Sequence, residues 1–168
     1  MTKKNQITVR VPATTANLGP GFDCLGMAVD MWNEITVDLD IDIGCGQTIV
    51  VDGMGSEELP ASEENLICRS INHLFALANV KPPAMHIRSY NNIPLGRGLG
   101  SSAAAIVGGL MVANAIIGTT CKPFETNDLL DIAAKYEGHP DNVTPAILGG
   151  LQIVVKDDGQ LISSSVKI

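Results

Sequence analysis

Aromatic residues are scarce in this chain: one tryptophan, two tyrosines and three phenylalanines among 168 residues, although 45% of all residues are hydrophobic. A core rich in alanine, glycine and valine accounts for that balance, and so does an apolar face covered by something outside the chain. Positive charge is scarce as well. Eleven Lys and Arg stand against 18 Asp and Glu, a formal charge of −7, and the basic residues are scattered (Arg10, Arg69, Arg88, Arg97, Lys135). Nucleic acid and anionic membrane both demand clustered positive surface, so neither is expected as a partner. Any bound phosphate must then be held by backbone dipoles, a few cations or a metal. The four cysteines, Cys24, Cys45, Cys68 and Cys121, form no CxxC pair and no Cys/His group at zinc spacing, so reduced thiols are expected. The N-terminal residues contain no apolar stretch of the kind found in secretory leaders. The longest nearly apolar run, Ala103 to Ile117, carries Gly108, Gly109 and Asn114 and falls short of the roughly 20 residues a membrane helix needs. A soluble, cytoplasmic protein is expected.

The length suits one domain with a single core. Alternating apolar residues predict strands at Ile7 to Val11, Leu25 to Met31, Glu34 to Ile41, Thr48 to Val51, Ala84 to Tyr90 and Leu151 to Val155. Ser62 followed by Glu63 and Glu64 predicts a helix N-terminus, continued at helical spacing by Leu66, Ile67, Ile71, Leu74 and Phe75. Further helices are expected at Ser101 to Ile117, apolar on nearly all sides and therefore buried, at Phe124 to Tyr136 and at Asp141 to Leu148. Strands precede and separate helices without strict alternation, which predicts an α+β domain with helices on one face of a mixed sheet. The end of the chain, ISSSVKI, shows no capping pattern, and a fragment is suspected.

Three stretches carry chemistry. Pro94 to Ala104, PLGRGLGSSAA, has the glycines of a phosphate loop without its Gly-Lys-Ser/Thr ending. Gly96, Gly98 and Gly100 allow close approach of an anion, and the Ser101/Ser102 junction opens a helix whose first turn offers free N–H groups and partial positive charge. Ser102 Oγ suits a Mg²⁺ carried by a nucleotide. A glycine-rich turn packed on a neighbouring helix satisfies the same composition. Glu137 to Pro145, EGHPDNVTP, concentrates polar groups ahead of a short helix, including one of only three histidines. Singly, Asp141 reads as a helix cap, His139 as a core histidine and Glu137 as a solvated charge. As a cluster they supply a metal carboxylate and groups to orient an attacking hydroxyl. Pro12 to Gly26, PATTANLGPGFDCLG, reads as a loop between strands with Thr14, Thr15, Asn17 and Asp23 as polar contacts, or as an Asx-type turn set by Asn17.

In this order the three stretches resemble the GHMP kinase superfamily. PLGRGLGSSAAA is similar to its nucleotide loop, while VPATTANLGPGFDCLG and EGHPDNVTPAILGG are similar to the homoserine kinase branch. The resemblance implies an N-terminal domain with a fold like domain 2 of ribosomal protein S5. It also implies ATP-dependent phosphorylation of the side-chain hydroxyl of L-homoserine, on the route to threonine. Pro94, Leu95, Gly96, Arg97, Gly98, Leu99, Gly100, Ser101, Ser102, Ala103 and Ala104 are then expected to hold ATP. Ser102 and Glu137 are expected on Mg²⁺, although some members place that carboxylate where this sequence has Lys135. Asn17, Asp23 and His139 are implied as contacts to the amino acid, and Asn142 sits near the attacking hydroxyl. Whether Asp141 acts as a base is open, because a loose transition state needs little early proton abstraction. Residues 1–168 correspond to the ATP-binding domain, and a C-terminal domain expected from the family is absent, so weak or no turnover is expected of this chain alone. Homodimerisation is open. Other small-molecule GHMP kinases, of mevalonate or shikimate type, are the nearest alternatives, and a non-catalytic RNA- or protein-binding module is the more distant one. The charge of −7 opposes an RNA reader.

Overall fold

The computed structural model describes residues 6–39, 46–158 and 160–167. A hairpin of β1 (Gln6–Leu18) and β2 (Gly21–Asp38) comes first, followed by β3 (Gln47–Gly53), α1 (Leu66–Leu77) and β4 (Met85–Asn91). Then follow α2 (Ser101–Ile117), α3 (Thr126–Glu137), α4 (Pro140–Leu148), β5 (Leu151–Asp157) and β6 (Gln160–Val166). The six strands form one sheet in which β2 is the spine. One edge of β2 carries β1 throughout; the other carries β4 at Glu34–Asp38 and β5 at Leu25–Met27. Only β3 and β4 run parallel, joined through α1, so the sheet is mixed as expected.

Period-two patterning decides which face of the sheet is covered. Ile35, Val37, Ile49 and Ile87 are buried, whereas their neighbours Val50, Arg88 and Tyr90 face solvent. Against the buried face lie α2 and α4, with α1 and α3 packed beside α2. The centre of the core is α2, as its composition demands: Ala103, Ala104, Val107, Val112 and Ala113 have no exposed surface. Its small residues set the packing distance. A Cβ placed on Gly109 would come within 2.7 Å of the Ile67 carbonyl oxygen, so glycine is what lets α1 and α2 touch backbone to backbone.

Several elements differ from the sequence reading. The segment from Pro12 to Gly26 is not a loop: β1 continues to Leu18, turns at Gly19–Pro20, and β2 begins at Gly21. Pro12 does not end β1, because β1 pairs only with β2 and the missing N–H can face outward. A register shift follows it. Pro12 pairs with Trp32 and Ala13 with Val29, so Asp30 and Met31 bulge out of a single long β2 where two strands were expected. The expected strand end at Ile41, like Cys45, lies outside the described residues. Helix α1 starts later than Ser62 suggests. Asn65 is its N-cap, accepting the Ile67 N–H at 3.0 Å, while Ser62 Oγ only accepts the Glu64 N–H at 3.3 Å in the preceding turn. The stretch ending in ISSSV forms β6, a strand unread in the sequence because its serines break the apolar alternation.

Candidate functional site

The loop after β4 is tied down at both ends before it reaches α2. At its start, Asn33 of β2 is buried and its Oδ1 accepts the N–H groups of Asn92 and Ile93 at 2.8 and 3.0 Å. At its end, the Leu99 carbonyl accepts the Thr14 N–H at 3.1 Å, on the free edge of β1. Between these anchors Gly96, Gly98 and Gly100 all take positive φ, at 63°, 69° and 65°. Gly100 is the N-cap of α2, in the left-handed region, and no side chain caps the helix. The first-turn N–H groups are therefore left to whatever occupies the space in front of them.

That space is a cavity of about 650 Å³. One wall is the loop itself, where Pro94 to Ser102 all contribute; Ala103 and Ala104 lie behind it, fully buried. Asn17 and Asn142 also line the cavity. Val51, Leu59, Leu66 and Ile67, with Asn65 and Asn91, add a more apolar part to the lining. The sequence reading gave none of those last residues a part in the site, nor Asn33. They look like ordinary core and cap positions until β3, β4 and α1 are brought together.

Two hydrogen-bonded groups flank the helix start. In the first, Ser102 Oγ donates to Glu137 Oε1 at 2.6 Å. Glu137 is the last residue of α3, which stops at Gly138 in the left-handed region (φ 93°), and both side chains line the cavity. Two hard oxygens thus converge beside the N-terminus of α2. This fits Mg²⁺, which takes one or two protein oxygens and completes its shell with phosphate and water. Among the described residues no group of three or more His, Cys, Asp or Glu is arranged for a metal.

The second group joins the remaining motifs. Thr14 Oγ1 donates to Asn142 Oδ1 at 2.9 Å, Asn142 Nδ2 donates to Asp141 Oδ1 at 3.3 Å, and Asn17 Nδ2 donates to Asp141 Oδ2 at 3.4 Å. Asn17 in turn accepts the Asp23 N–H at 3.1 Å, and both residues hold positive φ, 58° and 56°. Thr14 has no exposed surface, Asp141 is 2% exposed, and neither lines the cavity. The Asp23 side chain is solvent-exposed, and His139, the N-cap residue of α4, is exposed without a side-chain cap bond. The structure therefore brings Asn17, Asp141 and Asn142 together and leaves Asp23 and His139 outside the cavity lining. Arg97 lies exposed on the loop wall, a cation facing the same space.

Residues 65–150 match the family described as GHMP kinases N terminal domain. A homoserine kinase of Moorella thermoacetica is 44% identical over 160 residues, covering 95% of this chain and 52% of that protein. The crystal structure of homoserine kinase from Cytophaga hutchinsonii aligns with a TM-score of 0.82 and 33% identity, covering 99% of this chain and 53% of the other. The mevalonate kinase structure from Methanococcus jannaschii shares the fold, with a TM-score of 0.69 at 14% identity over 98% of this chain and 57% of that one. The chain spans about half the length of the curated relatives it matches.

Proposed function

The chain belongs to the GHMP kinases, whose N-terminal domain it carries, and on that premise we propose that it forms the nucleotide-binding half of an ATP-dependent L-homoserine kinase. The observation that carries the reading is the Ser102–Glu137 pair, 2.6 Å apart, beside an uncapped helix N-terminus whose glycine loop lines the cavity. The loop N–H groups hold the triphosphate through backbone dipoles, which meets the requirement set by so acidic a chain. Ser102 and Glu137 would hold a Mg²⁺, which would supply positive charge against the phosphates. The apolar part of the cavity lining takes the base of the nucleotide, and Asn17 and Asn142 take the amino acid, flanked by exposed Asp23 on β2 and His139 at the start of α4.

Phosphoryl transfer asks mainly for placement and charge stabilisation. The homoserine hydroxyl oxygen bonds to the γ-phosphorus as the bridging P–O bond breaks, its electron pair staying on ADP and the hydroxyl proton passing to a phosphoryl oxygen. Asn142, which lines the cavity, would orient that hydroxyl. The product is O-phospho-L-homoserine, the precursor on the route to threonine. A coupled assay of the complete protein tests the reading. ADP should form with L-homoserine in clear preference to mevalonate, galactose and shikimate, and equal or better use of any of those alcohols overturns the substrate assignment.

A further inference from the structure

Asn142 stands between two partners with opposite demands. Asp141 is a carboxylate that only accepts hydrogen bonds, so the end of the Asn142 amide 3.3 Å from its Oδ1 must be the NH₂. The carbonyl end is thereby turned to Thr14, whose hydroxyl has to donate to it at 2.9 Å. The reversed amide would set two acceptors against each other at Asp141. Neither partner can move aside easily. Thr14 is wholly buried, with its backbone N–H held by the Leu99 carbonyl, and the second oxygen of Asp141 is held by Asn17. Of Thr14, Asn17, Asp141 and Asn142, only Asn17 and Asn142 line the cavity.

We propose that Thr14 and Asp141 are positioning residues that lock the Asn142 amide with its carbonyl turned away from the reacting centre, so that Asn142 meets the substrate as a hydrogen-bond donor and not as a proton acceptor. The proposal rests on the kinase reading and deepens it. One N–H of the amide is used by Asp141, and the other is left for the substrate oxygen or a γ-phosphoryl oxygen. Asp141, with both oxygens engaged and no place in the cavity lining, serves as the anchor of the lock and takes no proton from the substrate.

Kinetics on the complete protein test this. Thr14→Val keeps the shape of the side chain and removes only the hydroxyl. It should lower kcat about tenfold, the equivalent of one lost hydrogen bond of about 1.4 kcal/mol, with the KM values for ATP and L-homoserine held within about twofold. Thr14→Ser, which restores the hydroxyl, should recover kcat. Asn142→Asp, able to accept from Thr14 but unable to donate, should lose at least as much as Thr14→Val. Asp141→Asn should lower kcat without removing the acidic limb of its pH profile. Wild-type kcat in Thr14→Val or Asn142→Asp, no rescue by serine, or loss of the acidic limb in Asp141→Asn overturns the proposal while the kinase reading stands. A wild-type protein inactive on L-homoserine overturns both.

Discussion

Gly100→Ala is the substitution on which the site geometry makes its sharpest demand. Gly100 holds φ 65° as the N-cap of α2, a conformation that costs an L-residue with a Cβ roughly 1–2 kcal/mol. The added Cβ would also lie 2.0 Å from Thr14 Oγ1 and 3.1 Å from Asn142 Oδ1. Thr14 has no free volume to retreat into, so relief requires breaking the Thr14–Asn142 hydrogen bond or shifting the loop, about 1 kcal/mol more for the bond alone. Together these predict a loss of about 2–3 kcal/mol, which in a domain of this size lowers Tm by roughly 4–12 °C. Gly96→Ala is the matched control. Its φ is 63°, but nothing lies within 4 Å of the added Cβ, so only the backbone cost of about 1–2 kcal/mol applies. Thermal unfolding and binding of a non-hydrolysable ATP analogue should both rank the variants as wild type, then Gly96→Ala, then Gly100→Ala. Equal behaviour of the two variants would refute the close packing of Thr14 beneath the loop.

Ser102→Ala in the complete protein should lower kcat with MgATP by about 10–100-fold, the range for one lost interaction with a charged group, with little change in Tm because the side chain is exposed; an unchanged rate across a Mg²⁺ titration removes Ser102 from the metal shell. Gly109→Ala should destabilise by about 1–3 kcal/mol through its contact with the Ile67 carbonyl, and a Tm equal to wild type would refute the backbone contact between α1 and α2. Burial, with Glu63 nearby, pushes the Cys68 thiol up to about 11. At pH 8 only about one part in a thousand is thiolate, so alkylation of the native protein, followed by mass spectrometry, should label exposed Cys121 and spare Cys68. The unfolded chain loses the same proton near pH 9, so this group contributes stability that is present below pH 9 and declines up to about 11.

What the sequence disclosed depended on how local each feature is. The glycine loop was legible because positive φ at Gly96, Gly98 and Gly100 and the uncapped start of α2 are properties of one short segment. The buried character of α2 was legible for the same reason, since its composition alone leaves no polar face. Ser102 and Glu137 could be paired only through family resemblance, because nothing local relates the first turn of α2 to the last of α3. The N-cap of α1 was misplaced where two plausible caps, Ser62 and Asn65, compete within one turn and the geometry favours the second.

The least legible features are those created by pairing distant strands, and they matter most to the site. Asn33 falls in the gap between the strands expected at Leu25 to Met31 and Glu34 to Ile41, yet the bulge at Asp30–Met31 lets β2 run on, so that its amide turns inward and holds the start of the glycine loop. Thr14 reads as one polar residue among several, yet the edge position of β1 gives it both a backbone bond to Leu99 and a side-chain bond to Asn142. The β1 edge is therefore the part of the scaffold that fixes the glycine loop and Asn142 relative to one another. A change that shifts the β1–β2 register by one residue would put Ala13 or Thr15 where Thr14 stands, and would break the backbone bond to Leu99 and the side-chain bond to Asn142 together.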